Sequence, residues 1–415
     1  MVPGPTHDQP RQVLPAQGRA KIPPSSRGPV GLASAMTFMR RAAALAWLLA
    51  LGCAGPSGLR DGLTAGGGAA TDGHSPADEA GRVFVYVGMT GGEVALFYLD
   101  VASGTLARRG TVSAGRAPSS LVRSVERGAL VVADGLTGQV ASFSIDGQSG
   151  ALRPVGRAPT GGANASGATL DDTGKYVLAA HPAAGRVSVL AITQSGGLKP
   201  IGTFAAGAGA HAVAVHPAQI AFVSNFRADS VSQFTFNTGT GMLTSWSGPA
   251  IALPAGSGPT RLVCHPSGRW VYLLDEGTDS IAVFRFDTDL KALSPISSQT
   301  VSTLPDGVAP GRSRPADLAL SPTGRFLYET NRGPDDVAAF AIDPAGNLKL
   351  VGHLPSGGRA PGALAVEPSE RVLLVANEGG KSLSVYSIDS TTGALGSRHT
   401  VALGASPLSV LAIRP

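Results

Sequence analysis

Charge, cysteine and long apolar runs are all scarce in this sequence, and each scarcity removes a class of function. Charged residues make up only 15% of the chain, with 33 Lys and Arg against 28 Asp and Glu. Residues 1–80 hold 7 of the basic and 5 of the acidic residues, which leaves a net +3 with interspersed signs over the remainder. Nucleic-acid binding needs a basic stripe that neutralises several phosphates. No such stripe exists here, so no nucleic-acid partner is expected. The two cysteines, Cys53 and Cys264, cannot build a disulfide framework. Cys264 lies in a strand-like run and reads as a small core hydrophobe. There is no HExxH, no CxxC, no phosphate-cradling P-loop and no GxSxG elbow. The sequence therefore offers no metal site, no cofactor motif and no α/β-hydrolase nucleophile.

What the sequence has in quantity is glycine, 56 residues, and proline, 31 residues, set between alternating apolar runs. The stretch Arg314–Leu348, RPADLALSPTGRFLYETNRGPDDVAAFAIDPAGNL, shows the unit. Its neighbours are GPTRLVCHPSGRWVYLLDEGTDSIAVFRFDTDLKAL (Gly258–Leu293) and APGALAVEPSERVLLVANEGGKSLSVYSIDSTTGAL (Ala360–Leu395). Each has an alternating run ending at Pro, a turn, an aliphatic and aromatic run, an Asn or Asp pair, a Gly turn and a third run. A Gly-x-Leu turn then opens a weaker fourth run. Period-2 alternation bounded by Gly, Pro, Asn and Asp marks strands, so each unit is expected to be four antiparallel strands, A to D.

The Leu after the C–D turn recurs at 106, 152, 198, 243, 293, 348 and 395, a mean spacing of roughly 48 residues. Four-stranded repeats of that period imply an all-β fold, a seven-bladed β-propeller. The first unit starts with a B-like run at Val83–Val87, and the chain ends on an A-like run, Ser406–Pro415. The C-terminal strand is expected to complete the N-terminal blade, which removes the open ring ends.

Four segments follow from this reading. Residues 1–35, rich in Pro, Gly, Gln and Ser, read as unstructured or as a mis-assigned start, with Met36 or Met39 the true one. Residues 36–53 combine Arg40 and Arg41 with the ten-residue apolar run Ala42–Leu51, then Gly52–Cys53. The run is too short to stand in a bilayer as a permanent helix but suits an export signal. It resembles a bacterial lipoprotein signal, which implies lipidation at Cys53 and a periplasmic or envelope location. Residues 54–81 read as a flexible tether, and 82–415 as the propeller. The membrane is then approached only through that anchor, and the protein is expected to be a monomer.

Propeller geometry restricts where a site can be. The start of strand A and the end of strand B share one face of the disc. Aligned on the Pro that closes strand A, the strand-A starts carry His211, Thr260, Ala316 and Gly362. The strand-B ends carry Asn225–Phe226, Asp275–Glu276, Asn331–Arg332 and Asn377–Glu378. His211, Glu276, Arg332 and Glu378 would thus gather at the channel mouth as base, carboxylates and cation, a set suited to general-base chemistry and oxyanion stabilisation. Asn331 and Thr260 stand beside them as candidate substrate contacts, although the repeated Asn or Asp also fits turn chemistry. His181, His216 and His265 read as structural, at the opposite face.

Three stretches carry a resemblance: SPTGRFLYETNRG (Ser321–Gly333), HPSGRWVYLLDEG (His265–Gly277) and HAVAVHP (His211–Pro217). They look like the seven-bladed lactonase family, which includes propeller-type 6-phosphogluconolactonases and fungal carboxymuconate lactonising enzymes. The resemblance implies catalytic roles for His211, Glu276 and Arg332. The family's strand-A arginine aligns with Thr260. Arg261, one residue on, points to the other face of a regular strand and substitutes only if the strand start is bulged. Pro334 stands where the family often has His.

Three functions remain open at this point. One is a lactone hydrolase, with water activated by Glu276 or His211 and Arg332 or Arg261 stabilising charge. Its small-molecule lactone is expected to differ from the cytosolic phosphosugar if the protein is exported. The second is a non-catalytic envelope propeller, similar to YVTN-type repeat proteins, that binds a protein or glycan. The third is a lactonising isomerase or lyase using the same residues. No cofactor is expected in any of them.

Overall fold

The computed structural model describes residues 82–248 and 250–415. The expectations placed on residues 1–81, including the signal and Cys53, lie outside the described residues. Seven antiparallel sheets follow one another around a ring, each in the order inner to outer strand. Blade 2 is typical, with strands Pro118–Ser124, Ala129–Asp134, Gln139–Ile145 and Leu152–Pro159. Blades 3 to 7 begin with Gly167–Leu170, Ala210–His216, Pro259–Cys264, Arg314–Leu320 and Pro361–Val366. Blade 1 is built from both ends of the propeller. Pro407–Ile413 pairs antiparallel with Val83–Met89, with Tyr86 opposite Leu411. The second strand of blade 1 thereby gains an inner neighbour from the other end of the propeller, so the ring closes without a cap.

The irregular repeat spacings have visible causes. Blade 4 divides its outer edge between Leu243–Ser245 and Ile251–Ala252, both paired with Ser230–Phe236. Blade 5 ends in an outer strand of 11 residues, Ala292–Ser302, whose register shifts midway.

The second strand of each blade is enclosed on both faces, as its continuous apolar run requires. Val372–Asn377 and Ala129–Asp134 are buried at every position. Seven apolar clusters then sit between neighbouring blades. The one joining blades 5 and 6, for example, packs Tyr272 and Leu274 against Leu327 and Phe340. The cluster joining blades 7 and 1 sets Leu374 and Val385 against Val85, Phe97 and Val410.

The Gly-x-Leu turns are also inter-blade contacts. Gly150, Gly346 and Gly393 all have positive φ. Their carbonyls accept the hydroxyls of Tyr86, Tyr272 and Tyr328 from the preceding blade at 2.7, 3.0 and 2.9 Å. A Cβ on Gly150 would fall 2.8 Å from the Phe84 ring, so only glycine serves both the backbone angle and the packing.

His216 and His265 are structural as expected. Each sits beside the A–B turn and bonds a glycine carbonyl of the next blade, Gly268 at 2.7 Å and Gly324 at 3.0 Å. His181 is structural too, but not at the expected face. It closes the second strand of blade 3, Tyr176–His181, so it lies at the same end as the Asn and Asp residues of the mouth. It is fully buried, with Nε2 2.7 Å from Ser188 Oγ.

Candidate active site

The inner strands start with a bulge at the mouth of the channel. The register skips one residue between Pro118 and Ser120, Ala210 and Ala212, Pro259 and Arg261, Pro315 and Asp317, and Pro361 and Ala363. Proline suits this place, since the first residue of a strand can forgo its N–H. A bulge puts two residues opposite one and re-aims the side chains that follow. One consequence is the condition set above for Arg261. The strand is bulged at Thr260, and both Thr260 and Arg261 line the cavity at the mouth.

That cavity has a volume of about 290 Å³, at the small end of the roughly 300–1,000 Å³ range usual for small-molecule sites. His211, Arg261, Glu276, Arg332 and Glu378 all face it. All seven blades contribute to it, because Ser166 of blade 3 and the skipped residues Ser119, His211, Thr260, Ala316, Gly362 and Leu408 form its upper rim.

His211 is held from both sides. Its carbonyl accepts the Ser166 hydroxyl of blade 3. Its Nδ1 lies 3.1 Å from the Thr260 carbonyl of blade 5, which also accepts Ser224 Oγ at 2.9 Å. A carbonyl only accepts, so Nδ1 carries the proton and Nε2 keeps its lone pair. Burial, and then the nearby Arg261 charge, push the imidazole pKa down to about 4. Phe226 flanks the ring with centroids 6.3 Å apart.

Glu276 follows the buried Asp275 at the end of its strand. Burial raises its carboxyl pKa, opposed by Arg314 and Arg332. Arg332 turns toward blade 7, where its Nη2 donates to Glu378 at 2.9 Å and its Nε to the Pro361 carbonyl at 3.3 Å. Gly362 is the cradle for that guanidinium, since a Cβ there would fall 2.6 Å from Nη2.

Two candidates have roles other than those expected. Asn331 is fully buried and belongs to the blade interior. It accepts Ser313 Oγ at 2.7 Å and donates to the Thr303 carbonyl at 2.7 Å, so it ties the strand end to a distant loop, and neither turn chemistry nor substrate contact describes it. Thr260 lines the cavity, but its hydroxyl is spent on the Leu274 carbonyl at 3.3 Å. Its contribution is the carbonyl that orients His211.

One residue escaped the sequence reading. Arg314 faces the cavity and stands directly across from Arg332 in the strand pair. Like charges opposite each other are unfavourable unless something negative lies between. Arg314 has no ion pair among the described residues. The signal was available: two residues before the skipped position, other blades carry Ala117, Gly209, Gly258 and Ala360.

The family model for the seven-bladed β-propeller lactonases (Lactonase, 7-bladed beta-propeller) matches residues 84–412. The chain belongs to that family. A 6-phosphogluconolactonase of Formosa agariphila is 30% identical over 142 residues, 33% of this chain and 38% of that protein. The aligned stretch thus spans about two fifths of that curated relative's length. Among solved structures, the periplasmic gluconolactonase of Pseudomonas aeruginosa is 26% identical with a TM-score of 0.73, covering 80% of this chain and 99% of that one. A putative 6-phosphogluconolactonase of Bacteroides uniformis gives the same figures.

Proposed function

We propose that the protein hydrolyses the lactone of a sugar acid at the channel mouth. The observation that supports this most directly is the meeting of His211, Glu276, Arg332 and Arg261 in one cavity. The two relatives named gluconolactonase and 6-phosphogluconolactonase indicate the substrate class.

The chemistry follows from the charges. Neutral His211 accepts a water proton at Nε2 while the water oxygen attacks the ring carbonyl carbon. Guanidinium N–H groups of Arg261 and Arg332 stabilise the oxyanion that develops on the former carbonyl oxygen. Collapse of the tetrahedral intermediate re-forms the C=O and breaks the ring C–O bond. The leaving alkoxide takes the proton held at His211 Nε2, which restores the neutral imidazole, and the product is the open hydroxy acid. Glu276, in the field of two arginines, is the second group able to take or return a proton.

The test is turnover of glucono-1,5-lactone and 6-phosphogluconolactone by the purified full-length protein, measured as acid release above the spontaneous rate. Absence of turnover on both, and on simple aliphatic lactones, overturns the reading. Export is part of the same proposal, supported by Arg40–Arg41, the apolar run and Cys53. Recovery of the protein in the cytosolic fraction, without lipid labelling, would count against it.

A further inference from the structure

Below the rim lies a second ring of residues, those that follow the skipped position in six blades, with Gly167, the first strand residue of blade 3, in the equivalent place. It reads Ser120, Gly167, Ala212, Arg261, Asp317, Ala363 and Ser409. Five are small and uncharged, and the two charged members are neighbours on blades 5 and 6. Arg261 Nε stands 3.1 Å from Asp317 Oδ1, with the two side chains only 23% and 16% exposed. The Nε–H does not point straight at the oxygen, so the contact is an ion pair without a hydrogen bond.

Asp317 is itself fixed from other strands. Its Oδ2 accepts the Leu364 N–H of blade 7 at 3.1 Å, and its own N–H donates to Thr330 Oγ1 at 3.2 Å. Two blades along the ring, a Cβ built on Gly167 of blade 3 would fall 2.9 Å from Arg261 Nη1. The guanidinium therefore extends from blade 5 past His211 to blade 3. No hydrogen bond among the described residues uses Nη1 or Nη2. A long side chain loses rotamer freedom when it is held this way, and an unpaired charge in a mostly enclosed place is costly. The carboxylate next door answers both.

We propose that Asp317 is the positioning residue of Arg261: it holds the guanidinium by its Nε edge across the floor of the mouth, keeps both Nη groups for the ligand's oxyanion, and relies on Gly167 for clearance. This rests on the reading of Arg261 as an oxyanion donor. Asp317 touches no reacting atom, and its effect passes through Arg261.

A double-mutant cycle tests it. Asp317→Asn is expected to lower kcat roughly 10- to 100-fold with KM changed by no more than about twofold, the pattern of a lost transition-state contact. In an Arg261→Ala background the same change is expected to cost nothing further. Equal losses in both backgrounds overturn the proposal. Should Asp317→Asn not fold, Gly167→Ala decides. Gly167 is not in the left-handed region, so alanine fits its backbone, and the added methyl should reproduce the kcat loss by displacing Nη1.

A second readout needs no turnover. The Arg261 charge helps depress the His211 imidazole, so His211 titration followed by NMR reports where the guanidinium lies. Arg261→Met should raise its midpoint. Gly167→Ala, which changes no charge, should raise it as well, by displacing the guanidinium toward the wetter mouth, and an unchanged or lowered midpoint in that variant overturns the tether. Full activity in Arg261→Ala overturns Arg261 as an oxyanion donor and the proposal with it, whereas no lactone turnover by the wild type overturns the lactonase reading and leaves the titration to judge Asp317.

Discussion

The ring of His211 directs Nδ1 at the main-chain oxygen of Thr260, 3.1 Å away in the neighbouring blade. The contact sets the tautomer by the chemistry of the acceptor alone, and it leaves the Nε2 lone pair unprotonated. A base held neutral this firmly has consequences for the pH dependence.

Turnover should stay flat from about pH 8 down to about pH 6, where an ordinary histidine would be largely protonated. Protonation of His211 removes the base, and its midpoint is depressed to about 4. A pH–kcat profile with an acid limb between 6 and 7 would contradict this. His211→Gln is expected to lower kcat by about 10²- to 10⁴-fold.

Glu276→Gln and Arg332→Ala should each reduce kcat about a hundredfold or more, yet shift Tm by no more than about 2 °C. Both residues are partly exposed, and surface changes outside the core usually stay within about 0.5 kcal/mol. Activity assays paired with thermal melts give the answer. A large fall in Tm would mark them as structural.

Arg314 offers a charge that no described residue pairs. Arg314→Ala should raise KM for 6-phosphogluconolactone by roughly tenfold, the scale of one charge-assisted hydrogen bond, and leave KM for the uncharged glucono-1,5-lactone within about twofold. Equal effects on the two substrates would remove Arg314 from any role in anion recognition.

Asp275 occupies the place of Asn225, Asn331 and Asn377 in other blades, and it is 4% exposed. Burial raises its pKa from 3.8 to about 7. An acid with a raised folded pKa binds its proton more tightly when folded. Stability is therefore greatest below about pH 4 and falls as pH rises through 7. Asp275→Asn should abolish that dependence and stabilise the protein above pH 7 by up to about 4 kcal/mol, with little gain at pH 4. The buried Glu329, whose pKa is raised chiefly by burial, works in the same direction. Denaturant unfolding at pH 4 and pH 8 measures the difference.

Closure of the ring can be tested at Ile413, which is 4% exposed in the core between blades 1 and 2. Ile413→Ala should cost about 2–5 kcal/mol, read by urea unfolding. Removal of Ser406–Pro415 should leave Val83–Met89 with a bare edge and yield insoluble protein.

Much of this architecture was legible in the sequence because a repeat writes its strand pattern seven times. Alternation and the Gly-x-Leu turns located the blades. The missing first A strand and the surplus last one predicted that Ser406–Pro415 would pair beside Val83–Val87, and the strands Pro407–Ile413 and Val83–Met89 do pair. Chain order in a propeller also maps onto position, so His211, Glu276 and Arg332 could be placed on one rim before any coordinates.

What the tertiary structure decided was which way particular side chains point. The bulge at Thr260 brings Arg261 into the cavity, and a one-residue register change has no signature in residue type beyond the preceding proline. Asn331 turns inward because Ser313 and the Thr303 carbonyl offer it partners, and those partners arrive from a loop of variable length. His181 shares the mouth's face because blade 3 puts it where others put Asn or Asp. The Arg261–Asp317 pair, 56 positions apart, exists only because adjacent blades lean their inner strands on one axis. Side-chain identity follows from local pattern, whereas the distance between charges on separate blades is a property of the closed ring.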